Sequence, residues 1–577
     1  MKDIHILKKR IKGFTIAIVI FSSFVLTTSL LFPGSMFLNL FKRNGLQKSF
    51  NFHDPIHITS NENFSTTTGV TGSGTSGDPY ILYDWWINAS TTGIAINISN
   101  TNSYAEIDTI NITGISTGIA IRLQNASNIK INNIIISGVL EGINIQSSCS
   151  NLSLNNVTIT SVNNGIEISS SGVKINDAQV ESTNGRGIEL TAGNGIINNS
   201  IIHDCNNEGI YATSSNNQFL NLDIERNSYG ILVRGQKNLI NNSNLINNSN
   251  NPIFLDSTGA SFNNISFNTI NGTASIPSIL ISNAPDNQIF NNSIYGYDGL
   301  RLTGGTGIRT LIENNTIDVT DIGVIIDGSA SQNEVTNNSF TRGLFGIKVQ
   351  NAGGNDIYNN TLSINASIGI DVVDSNGVSI NNNQLENIGS NSSIMLRNDN
   401  SNGTILGENT IKGGNHSVVI SSSINVQLSD NTISNYTSSG VNIITSSSSN
   451  IIQNNQIVNS SSGSSIVIGA SDNTILMNNL SYSVTGVKFS ASTVNKSNNV
   501  IQANNIELNT GSGIDLDVNT SSNLIFDNIL NNVQNVLCAN ATNLFFNLSM
   551  GKTNILGGPN TGGNFWNNYS ALDADLD

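Results

Sequence analysis

Four stretches decide the reading: Asn164-Gly-Ile-Glu-Ile168, Arg186-Gly-Ile-Glu-Leu190, Glu208-Gly-Ile-Tyr-Ala212 and Tyr229-Gly-Ile-Leu-Val233. Each is a glycine, then a β-branched residue, then alternation of inward and outward positions. The signature also stands at Gly93-Ile94, Gly118-Ile119 and Gly142-Ile143, and it returns at Gly299-Leu300, Gly323-Val324, Gly346-Ile347, Gly369-Ile370, Gly440-Val441, Gly486-Val487 and Gly513-Ile514. Degenerate copies fill the gaps at Pro252-Ile253, Ser278-Ile279, Ser393-Ile394, Ser417-Val418 and Ser465-Ile466. A recurrence of roughly 21–27 residues is a solenoid period, and about 20 units run from Gly93 to near Val536.

A second signal lies between these. Asn-Asn followed by an apolar residue recurs, for example at Asn291-Asn292, Asn314-Asn315, Asn337-Asn338, Asn359-Asn360, Asn382-Asn383 and Asn454-Asn455. Asn tolerates left-handed corners, and stacked amides can bond from coil to coil. Each repeat therefore reads as short strands separated by turns. No stretch after Phe50 has the apolar spacing of an amphipathic helix. The repeats are built on Ile and Val, not on the Leu motif of a horseshoe. The expected fold is all-β: a single-stranded, right-handed parallel β-helix of about 20 coils, preceded by an N-terminal hydrophobic helix. Ile94, Ile119, Ile143, Ile166, Ile188, Ile210 and Ile231 are expected to stack along one interior wall.

The order along the chain follows. Residues 1–43 read as a signal anchor or cleaved signal peptide: Lys8, Lys9, Arg10 and Lys12 precede an uncharged run from Gly13 to Phe41, and about 20 apolar residues can cross a bilayer. The charge order places the N-terminus inside and the rest outside. Residues 44–92 form a linker and cap, 93–540 the repeats, and 541–577 a second cap. Trp85, Trp86 and Trp566 fall near the two ends, as hydrophobic covers or as sugar-stacking platforms.

Composition removes some classes. The chain has 577 residues and a formal net charge of -15, which excludes the basic surface that nucleic acid needs. Three cysteines, Cys149, Cys205 and Cys538, are too few for a disulfide scaffold and read as small buried side chains. The five histidines are scattered. Asp573, Asp575 and Asp577 resemble the start of a calcium loop but lack its Gly and distal Glu. No metal or cofactor is expected. Sequons such as Asn88-Ala-Ser90 suit an exported, glycosylated chain.

The stretch from Thr71 to Leu82 resembles the entry segment of archaeal and bacterial surface proteins with β-helix repeats. The end, Asn554-Ile-Leu-Gly-Gly-Pro559 with Gly562-Gly-Asn-Phe-Trp566-Asn-Asn-Tyr569, resembles the closing motif of NosD-like β-helix proteins, grouped with carbohydrate-binding proteins and sugar hydrolases. The resemblance implies a pectin-lyase-like fold and an extracellular or cell-surface location. The expected partners are a polysaccharide or surface glycan, and a membrane through the N-terminal segment. Carbohydrate binding or adhesion is the first function. A polysaccharide hydrolase or lyase is the alternative, and copper-site maturation in the periplasm is a second.

Candidate catalytic groups come from the outward position two residues after each repeat glycine or its stand-in. The column runs Ala95, Ala120, Asn144, Glu167, Glu189, Tyr211, Leu232, Phe254 and Leu280, then Arg301, Ile325, Lys348, Asp371, Met395 and Val419. Glu167 and Glu189 are expected one coil apart, about 4.8 Å, with Tyr211 next. Like charges at that spacing can split acid from base roles. Lys348 beside Asp371, near Asp374, is a second candidate pair.

Overall fold

The computed structural model describes residues 50–566, apart from 92, 115–116, 274, 306, 366, 390–392, 445, 492, 540–541, 546–548, 551–552 and 559. The N-terminal segment 1–43 and the Asp573–Asp577 run lie outside the described residues. Among the described residues no helix is long and apolar enough to cross a membrane. From Phe52 onward the described residues form one compact unit, a parallel solenoid of about 19 turns.

One coil shows the plan. Its strands are Asn164–Ile168, Lys174–Asn176 and Gln179–Glu181. The first pairs in parallel with Glu141–Ile145 before it and Ile188–Leu190 after it. The second pairs with Ile196–Asn198 and the third with Ile201–His203. Stacking these three positions makes three faces, called first, second and third below. The repeat glycine sits at the start of each first-face strand because there is no room for more. A Cβ on Gly165 would lie 2.3 Å from the Gly187 carbonyl oxygen and 2.6 Å from Val180 Cγ1.

The interior wall of the first face is apolar: Ile143, Ile166, Ile188, Ile210 and Ile231 are all buried. Each contributes about 1.5–3 kcal/mol of burial. The first two coils differ from the sequence expectation. Ile143 stacks on Ile121, which stacks on Ile96, while Ile94 and Ile119 align with Glu141. The inward residues are therefore Ile96 and Ile121, and Ala95 and Ala120 are buried. The strands there, Ile94–Thr101 and Ile119–Ala126, are eight residues long, so the glycine no longer marks the register. A second slip occurs at Ile394, which pairs with Ile368 and His416. Leu396 fills the wall, Met395 is buried, and Arg397 takes the outward place.

The Asn-Asn signal divides into two tasks at the corner between the second and third faces. The first residue is left-handed, with φ near 56° at Asn291, Asn314, Asn337, Asn359, Asn382 and Asn454. The second points inward and joins a ladder. From Asn268 through Asn292, Asn315, Asn338, Asn360 and Asn383, each backbone N–H donates to the next side-chain Oδ1 at 2.9–3.0 Å. The ladder continues from Asn409 to Asn528 and ends on Asn564. The inward Asn supplies the acceptor for a buried N–H that the turn takes out of the sheet.

The ends are closed by chain that the repeat signal does not mark. Ile56–Ile58 pairs with the strand at Ile96–Ile98, and Tyr80–Asn88 pairs with Ala105–Thr113. The first coil is thus assembled before Gly93. A short helix, Asn61–Thr66, buries Phe64, which stacks on Tyr80 at 4.7 Å. Six residues are too few to show helical periodicity. Trp85 is 7% exposed and stacks on His53 at 4.1 Å, so it belongs to the core. At the other end Phe565–Trp566 pairs with Ile529–Leu530, and the Asn564 amide donates to the Ile525 and Phe545 carbonyls. Cys149 and Cys205 are buried, but Cys538 is exposed. Among the described residues its strand, Gln534–Cys538, is the last of the first face and pairs only with Ser512–Leu516.

Candidate functional site

The first face carries its outward side chains in register, one per coil. Glu167 lies opposite Glu189, Glu189 opposite Tyr211, Tyr211 opposite Leu232, and Leu232 opposite Phe254. Asn144 precedes Glu167. A parallel column three residues upstream in the chain brings Glu141 and Asn164 together, then Glu208 and Tyr229. Strand alternation alone produces this juxtaposition of residues far apart in sequence.

The two glutamates have different surroundings. Glu167 is held by amides: Asn164 Nδ2 donates to Oε1 at 2.7 Å and Asn144 Nδ2 to Oε2 at 3.1 Å. The same Asn144 amide reaches Glu141 Oε2 at 3.0 Å. Burial, then the charge of Glu141, then that of Glu189 push the Glu167 carboxyl above its ordinary range, against the Asn164 bond and Arg186. Glu189 is paired with Arg186 Nη1 at 2.9 Å, and Arg186 Nε reaches Glu208 at 3.0 Å. Burial alone would lower the Arg186 guanidinium, but Glu189 and Glu208 overcome it and raise it. The Arg186 guanidinium also lies 4.0 Å from the Tyr211 ring centroid, a cation–π contact. On the next side Arg234 Nη1 donates to Tyr211 Oη at 2.9 Å while pairing with Asp256 at 2.8 Å. Tyr229 and Phe254 stack at 6.0 Å beyond it. The result is a row of polar and aromatic side chains over six coils, interrupted by Leu232, which like Tyr211 is buried.

Two family descriptions match the chain. "Right handed beta helix region" covers residues 142–294 and 277–405. "Periplasmic copper-binding protein (NosD)" covers 345–496 and 390–571. The chain is a right-handed β-helix family protein. Among curated proteins none matches it. Of solved structures, this β-helix protein is similar to the A-module of mannuronan C-5 epimerase AlgE6 of Azotobacter vinelandii, at 12% identity over 56% of this chain and 99% of that one, with a TM-score of 0.35. It is similar to the catalytic unit of a GH87 α-1,3-glucanase of Streptomyces thermodiastaticus, at 12% identity over 54% and 67%, with a TM-score of 0.32. It is also similar to the PL6 family alginate lyase AlyGC, at 11% identity over 85% and 100%, with a TM-score of 0.28.

Copper(I) would call for Cys and Met, with imidazole also serving. Of the residues such chemistry would draw on, Cys538 and Met477 are exposed, and the others described are buried or scattered. Burial pushes the Cys205 thiol up to about 11 and raises that of Cys149, so neither offers a ready thiolate. Met395 is buried. Among the described residues no group of three His, Cys, Asp or Glu is placed to hold a metal ion.

The second sequence candidate changes its partner. Lys348 and Asp371 do face each other across adjacent strands, but the ion pair of Asp371 is with Arg397. Arg397 Nε and Nη2 grip its two oxygens at 2.7 and 2.8 Å, and Asp371 is 0% exposed. Lys348 instead sits 5.7 Å from the Phe345 ring centroid. The reason is the slip at Met395: counting from Ser393 hides Arg397 from the outward column. The same kind of slip hides Arg122, which follows Asn97 and precedes Asn144 in that column.

A third cluster escaped the sequence reading because its members were judged singly. On the third face Glu181, His203 and Glu225 are in register. His203 Nε2 meets Glu181 at 3.1 Å and Nδ1 meets Asp204 at 2.6 Å. Arg226 Nε donates to Asp204 at 2.8 Å; that bond, against some burial, with His203 adding, holds the Asp204 carboxyl below its ordinary range. A small apolar hollow of about 280 Å³, lined by Val319, Thr341, Leu344 and Ile388, lies at the turn from third to first face. It contains none of the candidate residues.

Proposed function

We propose that this protein is an exported or surface β-helix whose first face binds a polysaccharide along the Glu141–Asp256 tract. The observation that carries the reading is the assembly of Glu167, Glu189, Tyr211 and Arg234 from neighbouring coils into one row, beside the Tyr229–Phe254 stack. Carboxylates, amides and a guanidinium suit sugar hydroxyls, and an aromatic pair suits the apolar face of a sugar ring. A row repeating at about 4.8 Å suits an extended chain better than a compact ligand. The uncharged run from Gly13 to Phe41 and the periplasmic description of the matching family support placement outside the cytoplasm, with that run as anchor or signal.

A second reading is polysaccharide cleavage. It is favoured by the raised Glu167 carboxyl beside an arginine-paired Glu189, the environmental contrast that acid–base chemistry uses. The test is a glycan array on the full chain, followed by product analysis on every sugar that binds. Glycan binding that weakens in Glu189→Gln and Phe254→Ala supports the first-face reading. Binding indifferent to both overturns it. Cleavage that disappears in Glu167→Gln establishes the second reading; binding without products retires it.

A further inference from the structure

Among the described residues, arginines 186, 226, 234, 301, 309, 342 and 397 each pair with a carboxylate. Arg122 does not. Its side chain makes no hydrogen bond or ion pair, and its Nε is buried with no partner. An orphaned N–H of this kind costs about 1–3 kcal/mol, a cost that an acceptor from outside the chain would relieve.

Its position gives that acceptor a place. Arg122 stands in the outward column of the first face, between Asn97 and Asn144, two rungs before Glu167. Two rungs are about 9.6 Å at the spacing of neighbouring strands. The nearby carboxylates are already engaged: Glu141 with the Asn144 amide, Glu189 and Glu208 with Arg186, and Asp256 with Arg234. The Nε–H is half of the planar fork with which a guanidinium grips an anion in two parallel bonds. Turning that fork outward breaks no internal bond, because none is made.

We infer that Arg122 receives an anionic substituent of the bound glycan, a carboxylate or a sulfate ester. This rests on the first-face reading and adds the class of sugar to it. A charge-assisted pair replaces an unmet donor only when the ligand is anionic, so Arg122 separates charged from neutral chains rather than strengthening both.

The experiment compares the full chain with Arg122→Gln, Arg122→Lys and the control Arg309→Gln. Probes are oligogalacturonate and oligoalginate for carboxylate, a sulfated galactan for sulfate, and neutral glucan and mannan oligomers of matched length. The unaltered protein is expected to prefer one anionic class over neutral chains by roughly 10- to 100-fold. Which class wins identifies the anion. Arg122→Gln is expected to erase that preference while keeping neutral binding and the melting temperature, Arg122→Lys to retain part of it, and Arg309→Gln all of it. Equal binding of anionic and neutral chains overturns the inference and leaves the first-face reading standing. So does a preference that survives Arg122→Gln, or a melting temperature that falls with it. Failure to bind any probe overturns both.

Discussion

Replacing Asn360 by Ala interrupts the interior ladder at one rung, and the structure sets the size of the effect. The Asn360 amide donates to the Val335 carbonyl at 2.8 Å, the Tyr358 carbonyl at 3.1 Å and Asn383 Oδ1 at 3.0 Å. Its Oδ1 accepts from the Asn338 backbone N–H at 3.0 Å and from Asn338 Nδ2 at 3.1 Å. Alanine leaves the Asn338 backbone N–H without an acceptor in a site that is 0% exposed at residue 360, while Asn338 Nδ2 keeps the Ile312 and Thr336 carbonyls. The one orphaned donor costs about 1–3 kcal/mol. Native-state hydrogen exchange is the direct assay, since a solenoid opens locally. Loss of its own acceptor alone speeds exchange of the Asn338 amide by roughly 5- to 150-fold. The adjacent Asn359→Gly is the control. Asn359 is exposed, with φ 56°, a conformation glycine adopts freely, and exchange at Asn338 is expected to stay as it is. Unchanged exchange in Asn360→Ala, or equal acceleration in Asn359→Gly, refutes the division of labour between the two asparagines.

Other outcomes follow from the same geometry. Arg397→Leu strands Asp371 as a buried charge and is expected to destabilise by about 3–5 kcal/mol in urea unfolding, with most of the loss recovered in Asp371→Leu/Arg397→Leu. Glu167 has a raised carboxyl, so the folded state holds its proton longer than the unfolded state. Its contribution to stability is full below the ordinary value of 4.5 and is lost as pH rises through the higher folded value. A melting series from pH 4 upward should therefore show Glu167→Gln gaining on the unaltered protein as pH rises. A thiol reagent should modify Cys538 in the native protein and reach Cys149 and Cys205 only on unfolding, because both are buried. Gly165→Ala forces a methyl to within 2.3 Å of the Gly187 oxygen and is expected to cost about 1–3 kcal/mol by chemical denaturation.

The repeat spacing, the parallel solenoid and the inward column from Ile143 to Ile231 were legible in the sequence. Period-two alternation ties each residue's face to its neighbour's, and one glycine per coil marks where counting restarts. The row Glu167, Glu189 and Tyr211 was legible for that reason alone. Register across irregular coils was not. Ile96 and Ile121 replaced Ile94 and Ile119, and Arg397 replaced Met395, because strand and loop lengths change there and only pairing to the next coil fixes which residue turns inward. Sequence likewise suggested that asparagines stack, but not that one of each pair bends the chain while the other feeds a buried N–H. Its silence was deepest on ion pairing. The sequence shows Arg122, Arg186 and Arg397 as equivalent charges. Stacking the coils is what brings Glu208 to Arg186 and Asp371 to Arg397, from neighbouring turns 22 and 26 residues away, and leaves the Arg122 side chain without a carboxylate.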